Sequence, residues 1–400
     1  MQTPPTRMLI MCVLWLVVVP AVLSLSADHH HEVPTGASRT TNICAIGDLH
    51  GDANHAHAAL RLCGVVAEDS WTWTGGSATV VQTGDVVDRG NASLPLLRHL
   101  WALREQASAA GGELLLLLGN HELLNMQGAT HYVDAGELQA FGGVAAWRRA
   151  MDPRTGEIGK QLAALPGAAV RGGGPCRTLF LHAGLRLRVG QETGGTVDAL
   201  NEALRHQVEQ NHGALLDARQ GPLWFRGYAR PAHAGLTEDE ACAELRASLA
   251  SFGDGAKQMA VGHNIVPFVA TRCAKALYMI DVGMSEAYGG RPAAWRCSME
   301  AHDGHARVRA LYLEGDEEPP DLCDACADIR RKPHPLRGSD EHSDCRNYCK
   351  LMPGRRGSSS STFFSSLLGG SGGAGEQHDP AAAPSILEKA TNSAQLKTEF

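Results

Sequence analysis

Apolar residues in this chain gather into short runs, and three of these runs stop at polar motifs of one kind. The runs begin at Asn42, Ala78 and Glu113. They end in Gly47-Asp48-Leu49-His50-Gly51-Asp52, Gly84-Asp85-Val86-Val87-Asp88-Arg89-Gly90 and Gly119-Asn120-His121-Glu122. A continuous apolar run of about five residues predicts a strand buried on both faces. Asp48 and Asp85 are 37 residues apart, and Asp85 and Asn120 are 35 apart, which predicts two successive β-α-β steps. Between the runs, 53–62 and 93–107 carry helix formers with apolar residues at helical spacing. Pro95 falls in the first turn of the second helix, where a missing N–H is tolerated. The fold class this predicts is α/β. Each motif lies at the carboxyl end of a strand, where open α/β sheets place ligands.

From Gly128 to Cys176 the periodicity is broken by Gly142-Gly143, Pro153, Gly156, Gly159 and the turn from Arg171 to Pro175. Short helices and loops over the rim of the site are predicted there. The run from Thr178 is a further strand, ending in His182-Ala183-Gly184, and the run from Gln258 is another, ending in Gly262-His263-Asn264. The stretches 276–283 and 308–313 also read as strands. A helix is predicted over 196–210, and Thr237-Glu238-Asp239-Glu240 is a capping box opening a helix to about Ser251. After Glu314 the character changes. The sequence divides into a leader (1–26), an α/β domain (42–315), a cysteine-rich extension (316–353) and a Gly-, Ser- and Ala-rich tail (354–400) expected to be disordered.

Composition adds less. The chain has 400 residues, 44% of them hydrophobic and 20% charged, which is ordinary for a globular protein. A formal charge of −7 gives no reason to expect nucleic acid, which favours basic surfaces. Arg7, the apolar run from Met8 and the small residues Ser24 and Ser26 have the layout of a secretory signal peptide. An uncleaved signal anchor is the rival reading, and contact with a membrane is expected only in that case. The secretory pathway is therefore the expected location. Apart from Cys12 in the leader there are ten cysteines, an even number that permits full pairing in an oxidising compartment. Cys44, inside the first strand, reads as a small buried hydrophobe. Cys323, Cys326, Cys345 and Cys349 have spacings that suit disulfides or a four-thiolate zinc knuckle. Asn91-Ala92-Ser93 is a glycosylation sequon beside the second motif, where a glycan would crowd the site, so it is expected to be unmodified.

The strand endings together supply Asp48, His50, Asp85, Asn120, His182 and His263. Carboxylate, imidazole and amide ligands suit Mn, Fe or Zn rather than a thiolate zinc site. Two ions about 3.5–4 Å apart need a bridging ligand, which a carboxylate can provide. Such a pair activates water for in-line attack on phosphorus. Arg89 and Arg226 are candidates to hold phosphate oxygens, because a planar guanidinium takes two at once. His121 is placed to protonate a leaving oxygen, with Asp88 to orient it.

Gly-Asp-Leu-His-Gly, Gly-Asp-Val-Val-Asp-Arg-Gly and Gly-Asn-His-Glu, followed by His-Ala-Gly and Gly-His-Asn, resemble the phosphoprotein phosphatase branch of the calcineurin-like metallophosphoesterases. The resemblance runs from about Asn42 to Leu313. Asn120 to Met126, His131-Tyr132-Val133, Trp224 to Tyr228 and Asp281 to Ser285 resemble the Shewanella-like protein phosphatases within that branch. The resemblance implies a sandwich of two mixed β-sheets flanked by helices. It implies that Asp48 and His50 bind one metal, that Asp85 bridges, and that Asn120, His182 and His263 bind the other. It assigns the phosphate to Arg89 and Arg226, and the proton to His121 paired with Asp88. Ala183 stands where the wider family has glycine, a small change that should be tolerated. The expected activity is hydrolysis of phosphomonoesters on proteins or phosphopeptides, at Ser/Thr or Tyr. Hydrolysis of a small phosphate ester or dinucleoside polyphosphate is the alternative enzyme, and a membrane-tethered phosphoprotein-binding scaffold without turnover is the alternative from another class.

Overall fold

Strand β1 (Ile43–Ile46) is buried at every position, as its unbroken apolar run requires. In the computed structural model it pairs in parallel with β2 (Thr79–Gln82), which pairs in parallel with β3 (Glu113–Leu116). The crossovers are helix α1 (Ala53–Leu62) and helix α2 (Ser93–Ala109), so both predicted β-α-β steps are present. A third helix, α3 (Asn120–Met126), starts inside the third motif. The structure describes residues 42–252, 254–299, 305–331 and 348–349. The leader, the polar lead-in, Cys345 and the tail lie outside the described residues.

A second sheet completes the sandwich. It contains β4 (Ala168–Arg171), β5 (Thr178–Leu181), β6 (Gln258–Val261), β7 (Ala270–Arg272) and β8 (Leu277–Met279), in the order β4-β5-β6-β8-β7. The first sheet gains β9 (Ala293–Met299), β10 (Ala306–Tyr312) and β11 (Gly315–Glu317), giving β11-β10-β9-β1-β2-β3. Both sheets mix parallel and antiparallel pairs. Phe180 of the second sheet meets Trp295 of the first edge-on, with ring centroids 5.8 Å apart. Strands β4, β7, β9 and β11 were not predicted. The segment 128–176 holds the expected short helices, Ala135–Ala140, Val144–Met151 and Glu157–Ala163, but ends in β4.

The capping box at Thr237 forms: Thr237 Oγ1 accepts from the Glu240 backbone N–H, and Glu240 accepts from the Thr237 N–H. Cys44 is no lone hydrophobe, because it is bonded to Cys63 beyond the end of α1. Disulfides also join Cys176 to Cys297, Cys242 to Cys273 and Cys323 to Cys349. The last of these overturns the zinc-knuckle alternative, since Cys323 and Cys349 have no thiolate to offer a metal.

Candidate metal centre

The strand endings meet at one end of the sandwich. Main-chain bonds zip the first two motifs together: Leu49 and His50 donate to the Asp85 carbonyl, Gly51 donates to Val86, and Gly90 donates to His50. The third motif approaches closely because Gly119 has no side chain. A Cβ there would lie 2.2 Å from Asp85 Oδ1. Gly262 is equally constrained, since a Cβ would lie 2.2 Å from Asp48 Oδ1.

Asp85 is the hub. Its Oδ2 lies 3.3 Å from His182 Nε2, 3.8 Å from His50 Nε2 and 4.0 Å from His121 Nε2. Two sets of ligand atoms share this carboxylate, each gathered within 4.8 Å: His50, Asp85 and His121, and Asp85, His182 and His263. The histidines are pre-oriented by their other nitrogens. His50 Nδ1 bonds the Val87 carbonyl at 3.2 Å, and His182 Nδ1 bonds the Thr83 carbonyl at 2.9 Å. Both thus turn Nε2 to the centre. His263 Nε2 meets the Trp224 carbonyl at 3.2 Å, which leaves Nδ1 for the centre. Asn120 Oδ1 sits 2.8 Å from His182 Nε2. Imidazoles held through one ring nitrogen, around shared carboxylate oxygen, fit divalent metal ions.

All ten residues singled out in the sequence are in this region, but they do not form one uniform shell. Asp48 stands beside the two triads rather than in either. Its carboxylate accepts the His263 backbone N–H at 3.0 Å and faces Asp281. Arg226 gives one guanidinium N–H to the His263 carbonyl at 2.6 Å. Arg89 lies over the Tyr132 ring, 4.1 Å from its centroid, with Tyr288 at 5.9 Å. His121 Nδ1 lies 2.6 Å from Asp88 Oδ2. Asn125 holds Asp88 Oδ1 at 2.8 Å, and Trp147 Nε1 holds Asn125 at 2.7 Å.

Charge follows from this packing. Burial opposes ionisation of Asp85, but His182, His121 and His50 overcome it and hold the carboxyl well below its ordinary range. Burial, then the neighbouring His121, pushes His50 down to about 3. Burial and then Arg226 hold His263 well below the usual imidazole value. His121 moves the other way: burial disfavours its charge, but Asp85 and Asp88 outweigh burial and raise it. Burial, reinforced by Asp281 and Asp85, raises Asp48 well above the carboxylate range. Asp281 is pushed up to about 6, chiefly by burial. Asp48 and Asp281 thus stand side by side as buried carboxyls, a crowding of negative charge that a cation would relieve.

Several contributors had no individual role assigned from the sequence, although Asp281 and Glu122 fall inside its motifs. Asp281 is 1% exposed and its Oδ2 is buried without a hydrogen-bond partner. It ends β8 as the motifs end their strands, so the same signal was there to find it. Glu122 accepts the backbone N–H groups of Asp85, Val86, Val87 and Gly119, which fixes the second motif on the third. Asn125 falls within the Asn120 to Met126 motif, but nothing in the local pattern marks Trp147 or Tyr288 for their parts.

Residues 41–258 match the calcineurin-like phosphoesterase family. The chain is 34% identical to an uncharacterized protein of Schizosaccharomyces pombe, over 68% of this chain and 81% of that protein. It is 29% identical to Shewanella-like protein phosphatase 2 of Arabidopsis thaliana, over 63% of this chain and 73% of that one. The fold is similar to the crystal structure of a cold-active protein-tyrosine phosphatase of a psychrophilic Shewanella species. There the TM-score is 0.58 at 24% identity, covering 70% of this chain and 80% of the other.

Proposed function

The chain belongs to the calcineurin-like phosphoesterase family, among its Shewanella-like protein phosphatases, and from that premise we propose that it hydrolyses phosphomonoesters on proteins with two divalent metal ions. The observation that carries the proposal is that Asp85 is shared between His50 on one side and His182 and His263 on the other, while His121, which completes the first group, is held by Asp88. His50 and Asp48 would hold one ion and Asn120, His182 and His263 the other, with Asp85 between them. The ions, when bound, supply Lewis acidity and activate water for in-line attack on phosphorus. Mn, Fe and Zn all suit this donor set.

The rest belongs to the chain's own side chains. Arg89 is braced by the Tyr132 ring and presents its fork to phosphate oxygens. Arg226 spends one N–H on the His263 carbonyl and has others for the phosphate. His121 is held through Nδ1 by Asp88, so Nε2 carries the proton for the leaving oxygen. Tyr132 and Tyr288 flank Arg89 and wall the place where the phosphorylated side chain would enter.

We also propose passage through the secretory route, with the leader either cleaved or kept as an anchor. The four disulfides among the described residues support an oxidising compartment. Sequencing the mature N-terminus tests which form is made.

The decisive experiment is a panel of phosphoserine, phosphothreonine and phosphotyrosine peptides on purified protein with Mn, alongside a dinucleoside polyphosphate. Turnover of a phosphopeptide is expected, and Asp85→Asn should reduce it by at least about 1,000-fold, roughly 4 kcal/mol of lost transition-state stabilisation. Efficient cleavage of the nucleotide with no peptide turned over would reverse the substrate assignment. Peptide binding without turnover would favour the scaffold.

A further inference from the structure

Tyr348 belongs to the cysteine-rich extension, outside the region matched by the family, yet its side chain lies against Arg230 and close to Arg226. Its neighbour Cys349 is stapled to Cys323, which lies on the helix Leu322–Arg331. The ring is 4% exposed. Its hydroxyl donates to the Ile265 carbonyl at 2.5 Å and accepts from Arg230 Nη2 at 2.8 Å. The Arg230 guanidinium also lies over the ring, 4.3 Å from its centroid. Arg272 Nη1 donates to the Tyr348 carbonyl at 3.2 Å, which fixes the backbone at the same point.

These contacts join two segments that both carry working residues. Ile265 lies two residues beyond His263. The Arg230 backbone N–H donates to the Arg226 carbonyl at 2.7 Å, and Arg226 in turn bonds the His263 carbonyl. Arg226 and Arg230 therefore stand one turn apart with like charges. Arg226 Nη1 is also anchored on Asn264 Oδ1 at 3.3 Å, and without a partner for Arg230 the repulsion between the two guanidinium groups would pull the fork of Arg226 against these anchors. The face and hydroxyl of Tyr348 fix Arg230 and tie it to Ile265, two residues beyond His263.

We propose that Tyr348 is a positioning residue: its hydroxyl fixes Arg230, and through it the direction in which Arg226 meets the substrate phosphate. The inference rests on the phosphatase reading. It makes the extension a working part of the active site, although the extension supplies no group to the reacting atoms.

Tyr348→Phe keeps the ring, its packing and its stacking on Arg230, and removes both hydroxyl bonds. In the full-length, Mn-loaded protein it should raise KM for a phosphopeptide about tenfold, the scale of one lost hydrogen bond to a charged group. The inhibition constant of inorganic phosphate should rise in parallel, with kcat within about threefold and Tm nearly unchanged. Tyr348→Ala, which also removes the ring, should raise both constants further and lower Tm. Unchanged KM and phosphate inhibition in Tyr348→Phe overturn the proposal, with or without a lower Tm. So does a loss confined to kcat. Calorimetric binding of inorganic phosphate separates this result from a failure of the phosphatase reading. A parent that binds phosphate but turns over no phosphomonoester sinks the activity, while weaker phosphate binding by Tyr348→Phe still supports the positioning role. A parent that binds no phosphate sinks both.

Discussion

Five residues of the centre stand on left-handed backbone: His50, Asp85, Asp88, Arg89 and His263, with φ of 43°, 57°, 74°, 69° and 63°. Such a conformation costs a residue with a Cβ about 1–2 kcal/mol. It persists because surrounding bonds over-determine it, notably the carboxylate of Glu122 under the backbone of Asp85, Val86 and Val87. The strain serves direction, since the turn it permits sends Asp88 to His121 and its neighbour Arg89 over Tyr132. His121 illustrates what that direction does to charge. Asp85 and Asp88 raise it against burial, so the imidazolium is favoured. A general acid must be protonated, so kcat should fall as pH rises through the His121 value. Asp88→Asn removes one of the raising charges and should move that alkaline limb to lower pH. A kcat–pH profile on phosphoserine peptide, a poor leaving group, measures it. A limb that stays in place would remove His121 from the acid role.

At the scale of elements, the strands with polar endings were legible because burial on both faces writes an unbroken apolar run, which the edge strand β3 keeps although Glu113 and Leu115 are only half-buried. Strand β9 was not. Its sequence Ala-Ala-Trp-Arg-Cys-Ser-Met interrupts the run with Arg296, whose guanidinium reaches the Leu62 carbonyl at 2.8 Å. Strands β7 and β11 have three residues each, too few for a period to show. Pairing of cysteines was equally hidden, because connectivity depends on which strands become neighbours. Cys297 on β9 bonds Cys176 beside β5 and so ties one sheet of the sandwich to the other. With a sequence separation of 121 residues, this bridge removes much unfolded-state entropy, a stabilisation of about 4–5 kcal/mol on the loop-closure estimate. Replacing both cysteines by alanine should lower unfolding free energy by about 4–5 kcal/mol in denaturant titrations. It should also cost more than the same replacement at Cys44 and Cys63, which close only 19 residues. Equal losses would mean that the sheets are held together without the bridge.

For the molecule as a whole, metal and stability are linked through the crowded carboxyls. Asp281 is raised to about 6, so it adds stability below about pH 4 and loses it as pH rises through 6. His50 and His263, held low mainly by burial, act in the opposite sense, which makes the difference between parent and Asp281→Asn the useful readout. In metal-free protein, Asp281→Asn should melt higher than the parent at pH 7 and lose that advantage below pH 4. Mn at a hundredfold excess over Kd should add about 2.7 kcal/mol to the parent. A difference in Tm that does not change between pH 4 and pH 7 would contradict this account. The sequence by itself determined the α/β character, the parallel core of β1, β2 and β3, and the motifs whose side chains gather at one end of the sandwich. Those properties are local: apolar runs, turn residues and the chemistry of short motifs. Only the tertiary structure decided that His121 lies within reach of Asp85 beside His50, that Asp48 faces Asp281, that Glu122 carries the second motif, and that Tyr348 reaches Arg230 across 118 residues. Those are meetings of segments distant in the chain, and spacing along a sequence does not record which strand endings packing will bring together.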